Sequence, residues 1–212
     1  MPENADTLPR STNPVALTIA GSDPSGGAGL QADLKTFHRF GVYGTAVISL
    51  LTVQNTVRVS AVEPLPAKLV LAQLDAVLED IPPAAAKTGA LGSREIVEAV
   101  AERARSFTFP LVVDPVMISK HGQALLQDDA RQAVIEKLLA TAFLVTPNVP
   151  EAAALSGIGI ADAESMERAG RAIAARGPQA VLIKGGHLRG EAVDLLLYQD
   201  KVFSFSAPRL EA

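Results

Sequence analysis

Two rhythms of apolar positions alternate along the chain. Val15 to Ala20 (VALTIA) is a short, apolar, β-branched run and predicts a strand. It stops at GSDPSGGAG, Gly21 to Gly29. The following LQADLKTFHRFG brings Leu30, Leu34, Phe37 and Phe40 roughly onto one helical face, with Gly41 as a stop. Thr45 to Val53 is apolar almost throughout, as a buried parallel strand would be, although periodicity alone leaves a helix open. A weaker strand is expected at Val57 to Val62, and Pro66 opens a helix through Leu69, Leu71, Leu74 and Leu78.

The alternation continues to the end of the chain. Strands are predicted at Ala84–Thr88, Leu111–Val113, Phe143–Thr146 and Ala180–Lys184. Helices are predicted from Ser93, as cap, to about Arg105, over Asp128–Ala140, from Pro150, and over Asp162–Arg176. Ala192–Tyr198 and Val202–Ser206, split by Gln199, Asp200 and Lys201, read as a hairpin. Strands alternating with helices predict one doubly wound, parallel α/β sheet. With neither an internal repeat nor an interior linker, 15–212 is expected to be one domain. The first fourteen residues, MPENADTLPRSTNP, read as a disordered leader without the apolar stretch of a secretory signal. After the last strand SAPRLEA brings no closing helix, although such a sheet normally has helices on both faces.

Composition narrows the function classes. The 212 residues are 48% hydrophobic and 20% charged, as in a soluble globular domain. With 19 Lys and Arg against 23 Asp and Glu, the net charge of -4 speaks against a nucleic-acid or anionic-membrane partner. No run of 18 apolar residues predicts a membrane span. The absence of cysteine excludes disulfides, zinc thiolates and thiol nucleophiles within the chain and permits a reducing, cytoplasmic setting.

Ligands of open α/β sheets bind beyond the carboxyl ends of the strands. The polar residues expected there are Ser22 and Asp23, Gln54 and Asn55, Lys87 and Thr88, Asp114, Asn148 and Glu151, and Lys184 and His187. Any one of them could be merely a polar loop residue. Together, acids, an amide and lysines suit a charged ligand with a metal: carboxylates and water for magnesium, lysine for phosphate. His121 and His187 are candidate general bases, though a lone loop histidine is more often only polar. Asp75, Glu79 and Asp80 read as a solvated helix end.

Gly27-x-Gly29-x-x-Ala32 follows a strand and opens a helix, the dinucleotide pattern in type and place. That pattern also needs an acid ending the second strand, where this chain has Gln54 and Asn55. The GK[ST] of a Walker loop is absent too. What remains is a pliant backbone at a helix start, able to approach a ligand closely.

Beyond these local readings, an ordered set of motifs carries a family resemblance. ALTIAGSDPSGGAGLQADLKTF, Gly41-Val42-Tyr43-Gly44, Val53-Gln54-Asn55-Thr56, KTGALG, VVDPVM, TPNVPEA and VLIKGGH span about Val15 to Pro208. In this order they resemble the hydroxymethylpyrimidine/phosphomethylpyrimidine kinases of thiamine biosynthesis. The resemblance implies a ribokinase-like α/β fold, a three-layer sandwich whose mainly parallel central sheet is flanked by helices. It implies phosphorylation of 4-amino-5-hydroxymethyl-2-methylpyrimidine, then of its monophosphate, with ATP and Mg2+, in a cytoplasmic homodimer.

The same resemblance assigns residues. Gly21, Asp33 and Gln54 would line the pyrimidine pocket, with Ala90 and Val116 as apolar walls. Asp114 and Glu151 would serve the metal, and Asn148 and Lys184 the nucleotide. The family's glycine-rich H-G-T-G-C segment, with its anion hole and cysteine, would lie beyond Ala212, so these residues alone are expected to turn over little ATP. Two alternatives stand beside this reading: a kinase of pyridoxine-type alcohols, and a non-catalytic pyrimidine-binding fragment.

Overall fold

A computed structural model of the protein describes residues 13–118, 124–186 and 192–208. His121, His187 and most of the expected leader lie outside these residues. The elements, in order, are β1 (Val15–Ser22), α1 (Gly29–Arg39), β2 (Tyr43–Gln54), β3 (Val59–Pro64), α2 (Ala67–Asp80), β4 (Ala85–Thr88) and α3 (Arg94–Ala104). Then come β5 (Leu111–Val113), α4 (Asp128–Ala133), β6 (Leu144–Val145), α5 (Val149–Ser156), α6 (Ala163–Ala174), β7 (Ala180–Ile183), β8 (Ala192–Tyr198) and β9 (Lys201–Ala207).

The strands form one sheet in the order β3-β2-β1-β4-β5-β6-β7-β8-β9. From β2 to β7 every neighbouring pair is parallel. The sheet is mainly parallel, as expected; at its edges β3, β8 and β9 run antiparallel, β8 and β9 as the hairpin expected there. The reason is connection length, since a tight turn can join only antiparallel strands. Asn55 Oδ1 accepts from the amides of Val57 and Arg58 and folds the chain back into β3. Gln199 and Asp200, at φ of 49° and 60°, make a two-residue turn into β9, so Lys201 already pairs with Tyr198.

Leu17, Ile19, Val47, Leu111, Val113, Val145, Val181 and Ile183 are buried in a single core with Leu74, Ile96, Val100 and Ile173 of the helices. Ser93 Oγ accepts from the Ile96 amide, as its reading as a cap requires. The helix expected over Asp128–Ala140 changes its winding: after Ala133 it widens to a π turn (Val134–Leu138) and tightens to a 3-10 turn (Leu139–Thr141). The β6 strand is shorter than expected, yet the amides of Phe143 and Thr146 still donate to Leu111 and Val113. Leu182, Leu196 and Phe203 are aligned across β7, β8 and β9, and Phe203 is exposed. Among the described residues no helix is long and apolar enough to cross a membrane.

The chain leaves β1 for β2 on one side and later returns to β4 on the other. Strand order therefore reverses between β1 and β4, the place where open α/β sheets hold ligands.

Candidate active site

The glycine loop after β1 is built around one acid. Asp23 is 3% exposed and accepts from the Ser25 hydroxyl and from the amides of Ser25, Gly27 and Ala28. Burial works against its charge, but the Ser25 hydroxyl and these amides outweigh it and hold the carboxyl below the usual range. Asp23, expected on the polar rim, is thus an internal brace of the loop. Gly29, at φ +57°, starts α1, and a Cβ there would run into the Gly21 carbonyl. A Cβ on Gly21 would stand 2.5 Å from the Leu50 side chain. Close approach of two backbone segments is therefore what these two glycines provide.

The residues expected around a pyrimidine share the carboxyl edge of the sheet. Gly21 lies near the end of β1, and Gln54 ends β2 beside a register irregularity. The Gln54 amide is partly buried and has no hydrogen-bond partner among the described residues, so both its ends are available to a ligand. Asn55 instead spends its side chain on the turn. Ala90 is buried, its carbonyl accepting from Ser49 Oγ at 2.6 Å. Val116 is half-buried and helps line a small recess of about 10 Å³, room for one water, with Thr88, Gly89, Leu91 and Asp114. Thr88 Oγ1 is buried there without a hydrogen-bond partner among the described residues. Asp33 comes from α1 rather than from a strand end, and reaches Lys87 at 2.9 Å.

The residues expected to handle phosphate and metal lie beyond β5, β6 and β7. Lys184 Nζ donates to Asp114 Oδ1 at 3.2 Å. The Lys184 amide donates to the Pro147 carbonyl, setting Lys184 beside Asn148 in parallel register. Asn148 caps α5: its Oδ1 accepts from the Glu151 amide, and Glu151 returns a carboxylate oxygen to the Asn148 amide. Glu151 is only 7% exposed. Burial pushes its carboxyl above the usual range; the Asn148 amide opposes this, and the negative charge of Asp114 adds to it. A buried Glu151 whose charge Asp114 disfavours forms, with that second carboxylate, a place where added positive charge is favoured.

Two ion pairs were not legible in the residue pattern. Lys87 was expected only as a rim residue, but it pairs with Asp33. The signal was a lysine inside an otherwise apolar strand, where alternation decides which face it meets. Asp75 is exposed, as expected of a solvated helix end, and it also receives Arg103 Nε at 2.7 Å, tying α2 to α3.

Known proteins match this arrangement. The sequence profile of the phosphomethylpyrimidine kinase family matches residues 23–212. The hydroxymethylpyrimidine/phosphomethylpyrimidine kinase of Rhizobium meliloti is 50% identical over 199 residues, taking in 93% of this chain and 75% of that protein. The crystal structure of phosphomethylpyrimidine kinase from Clostridium difficile superimposes with a TM-score of 0.86 at 48% identity, over 92% of this chain and 85% of that one. The Staphylococcus aureus pyridoxal kinase, solved with AMP-PCP and pyridoxal, gives 0.84 at 36% identity, over 94% of this chain and 73% of that one.

Proposed function

The chain belongs to the phosphomethylpyrimidine kinase family, and from that premise we propose that it transfers phosphate from ATP to 4-amino-5-hydroxymethyl-2-methylpyrimidine and then to the monophosphate. The observation that carries this reading is the division of one sheet edge into two halves. On one side of the β1/β4 switch point lie Gly21, Asp33 and the Gln54 amide, unpartnered among the described residues and suited to a small ring with donors and acceptors. Towards β7 lie Asp114, Glu151 and Lys184, suited to phosphate and its counter-ion.

In this reading Gln54 and Asp33 hold the ring while Ala90 and Val116 wall it. Lys184 is a point charge for a phosphate oxygen, at present shared with Asp114. Asn148 keeps its amide NH2 free of partners among the described residues and can donate to the nucleotide or its water. Magnesium fits Asp114 and Glu151: both offer oxygen, and the buried Glu151 is held near a second negative charge that a cation relieves. The ion commonly uses only one or two carboxylates and completes its shell with phosphate and water. When bound, it would neutralise charge on the transferring phosphate, the main demand of this chemistry. The homodimer and the cytoplasmic setting join this reading through the family resemblance alone.

A pyridoxine-type alcohol is the weaker choice, because the identity to the pyridoxal kinase is 36% against 48–50% to the pyrimidine kinases. The test is substrate-dependent ADP release by the enzyme from its complete reading frame. Stepwise appearance of singly and then doubly phosphorylated pyrimidine supports the proposal. ADP release that is indifferent to the pyrimidine overturns it.

A further inference from the structure

Thr18 of β1 and Lys87 of β4 are register partners in adjacent parallel strands, so both side chains leave the same face of the sheet. Asp33 reaches that face from α1. Thr18 Oγ1 donates to Asp33 Oδ2 at 2.6 Å. Lys87 Nζ donates to Oδ2 at 2.9 Å and to Oδ1 at 3.1 Å. The side chains of Lys87 and Asp33 keep 23% and 19% of their exposure, so the pair is sheltered yet within a ligand's reach. The group sits where strand order reverses, not out on the surface.

An ionised carboxylate offers about four lone-pair sites. Here Oδ2 meets two donors and Oδ1 one, which leaves Oδ1 able to accept once more. A Cβ on Gly89 would stand 3.1 Å from Nζ, so glycine at this position leaves the ammonium room beside Asp33. Two groups on two strands thus orient one carboxylate from α1 and leave it a single open acceptor position. Lys87 itself has no acceptor to offer a ligand.

We infer that Lys87 is a positioning residue that, with Thr18, keeps Asp33 a fixed, acceptor-only carboxylate, so that this end of the pocket selects rings bearing an N–H donor such as an exocyclic amino group. The inference rests on the proposed placement of the pyrimidine at Asp33. A site built to receive an N–H discriminates strongly against the analogue lacking it, because its own polar group is then left unpaired. Without Lys87 the carboxylate loses both its counter-charge and its orientation, and that discrimination falls.

The experiment measures kcat and KM of the full-length enzyme for the 4-amino alcohol and for the same ring with hydrogen in place of the amino group. In Lys87→Met, KM for the amino ring is expected to rise roughly 10- to 100-fold, the range of a lost charged hydrogen bond. KM for the des-amino ring, KM for ATP and kcat stay near their original values. Lys87→Arg, which keeps the charge, retains most of the discrimination. Thr18→Val, which preserves shape, loses a smaller part of it and gives a second reading should Lys87→Met fold poorly. Equal discrimination in Lys87→Met and the unaltered enzyme overturns the inference, as does equal loss in the Met and Arg variants. Asp33→Ala separates this from the underlying reading: if it leaves discrimination intact, the pyrimidine does not lie at Asp33. If only Asp33→Ala reduces it, Lys87 has no positioning role.

Discussion

Asn148 and Glu151 satisfy each other across the first turn of α5, each accepting from the other's backbone amide at 2.9 Å. The capping box is an ordinary way to start a helix. Here it also fixes a buried carboxylate beside Asp114, at the end of the site read as phosphate-handling. One side chain is committed to both the helix start and the site, and the two uses make opposite demands on its charge.

The first prediction follows from that conflict. The folded protein raises the Glu151 carboxyl above its ordinary value of 4.5, through burial first and Asp114 in addition. Such a group contributes stability below about 4.5, and that contribution is lost as pH rises through the raised folded value. Glu151→Gln keeps an oxygen for the Asn148 amide but has no charge to bury. In melts without divalent cation, the variant should gain on the unaltered protein as pH rises through this window. Each 1 kcal/mol reads as about 2–4 °C in a chain of this size. Parallel Tm curves across that range contradict the account. Kinase activity of the variant should fall, since the proposed metal loses a charged oxygen.

Gly29→Ala tests the loop. The position has φ +57°, which costs a residue with a Cβ about 1–2 kcal/mol, and the new methyl would press on the Gly21 carbonyl. Tm should fall by at least roughly 2–8 °C, and affinity for the aminopyrimidine should fall with it as Gly21 is displaced. An unchanged Tm shows that the loop relaxes without strain.

Much of this loop was legible in the sequence and its wiring was not. Four glycines among nine residues announced close backbone approach, and Gly21 and Gly29 provide it. That Asp23 would turn inward depends on where the amides of Ser25, Gly27 and Ala28 point, which no residue pattern specifies. Element types followed from period, but strand direction at the edges followed from the turns at Asn55 and at Gln199–Asp200. The meeting of Asp33 with Lys87 joins residues 54 positions apart through a sheet order that local pattern cannot supply.

Lys184→Ala should damage use of ATP and leave pyrimidine binding nearly intact. Its ammonium lies 3.2 Å from Asp114, on the phosphate side of the edge. Losing a charged hydrogen bond of roughly 1.5–3 kcal/mol raises KM for ATP about 10- to 100-fold. Steady-state kinetics with each substrate varied in turn checks this, and an unchanged KM for ATP reduces Lys184 to a partner of Asp114.

Gln54→Ala should show the reverse pattern. The side chain ends β2 with both polar ends free among the described residues, so truncation removes ligand contacts without breaking internal ones. Calorimetry should show pyrimidine affinity weakened by about 1–3 kcal/mol while nucleotide affinity holds. An unaltered dissociation constant for the pyrimidine removes Gln54 from the pocket.

The central claim is that this sheet edge phosphorylates an aminopyrimidine alcohol in preference to the pyridoxine type. The direct measurement offers both alcohols, in equal amounts with Mg-ATP, to the enzyme from its complete reading frame, and follows the products by mass spectrometry. The account predicts early phosphate on the pyrimidine, a second phosphate on the same molecule later, and little on the competitor. Preferential labelling of the pyridoxine-type alcohol, or no labelling of the pyrimidine, contradicts it.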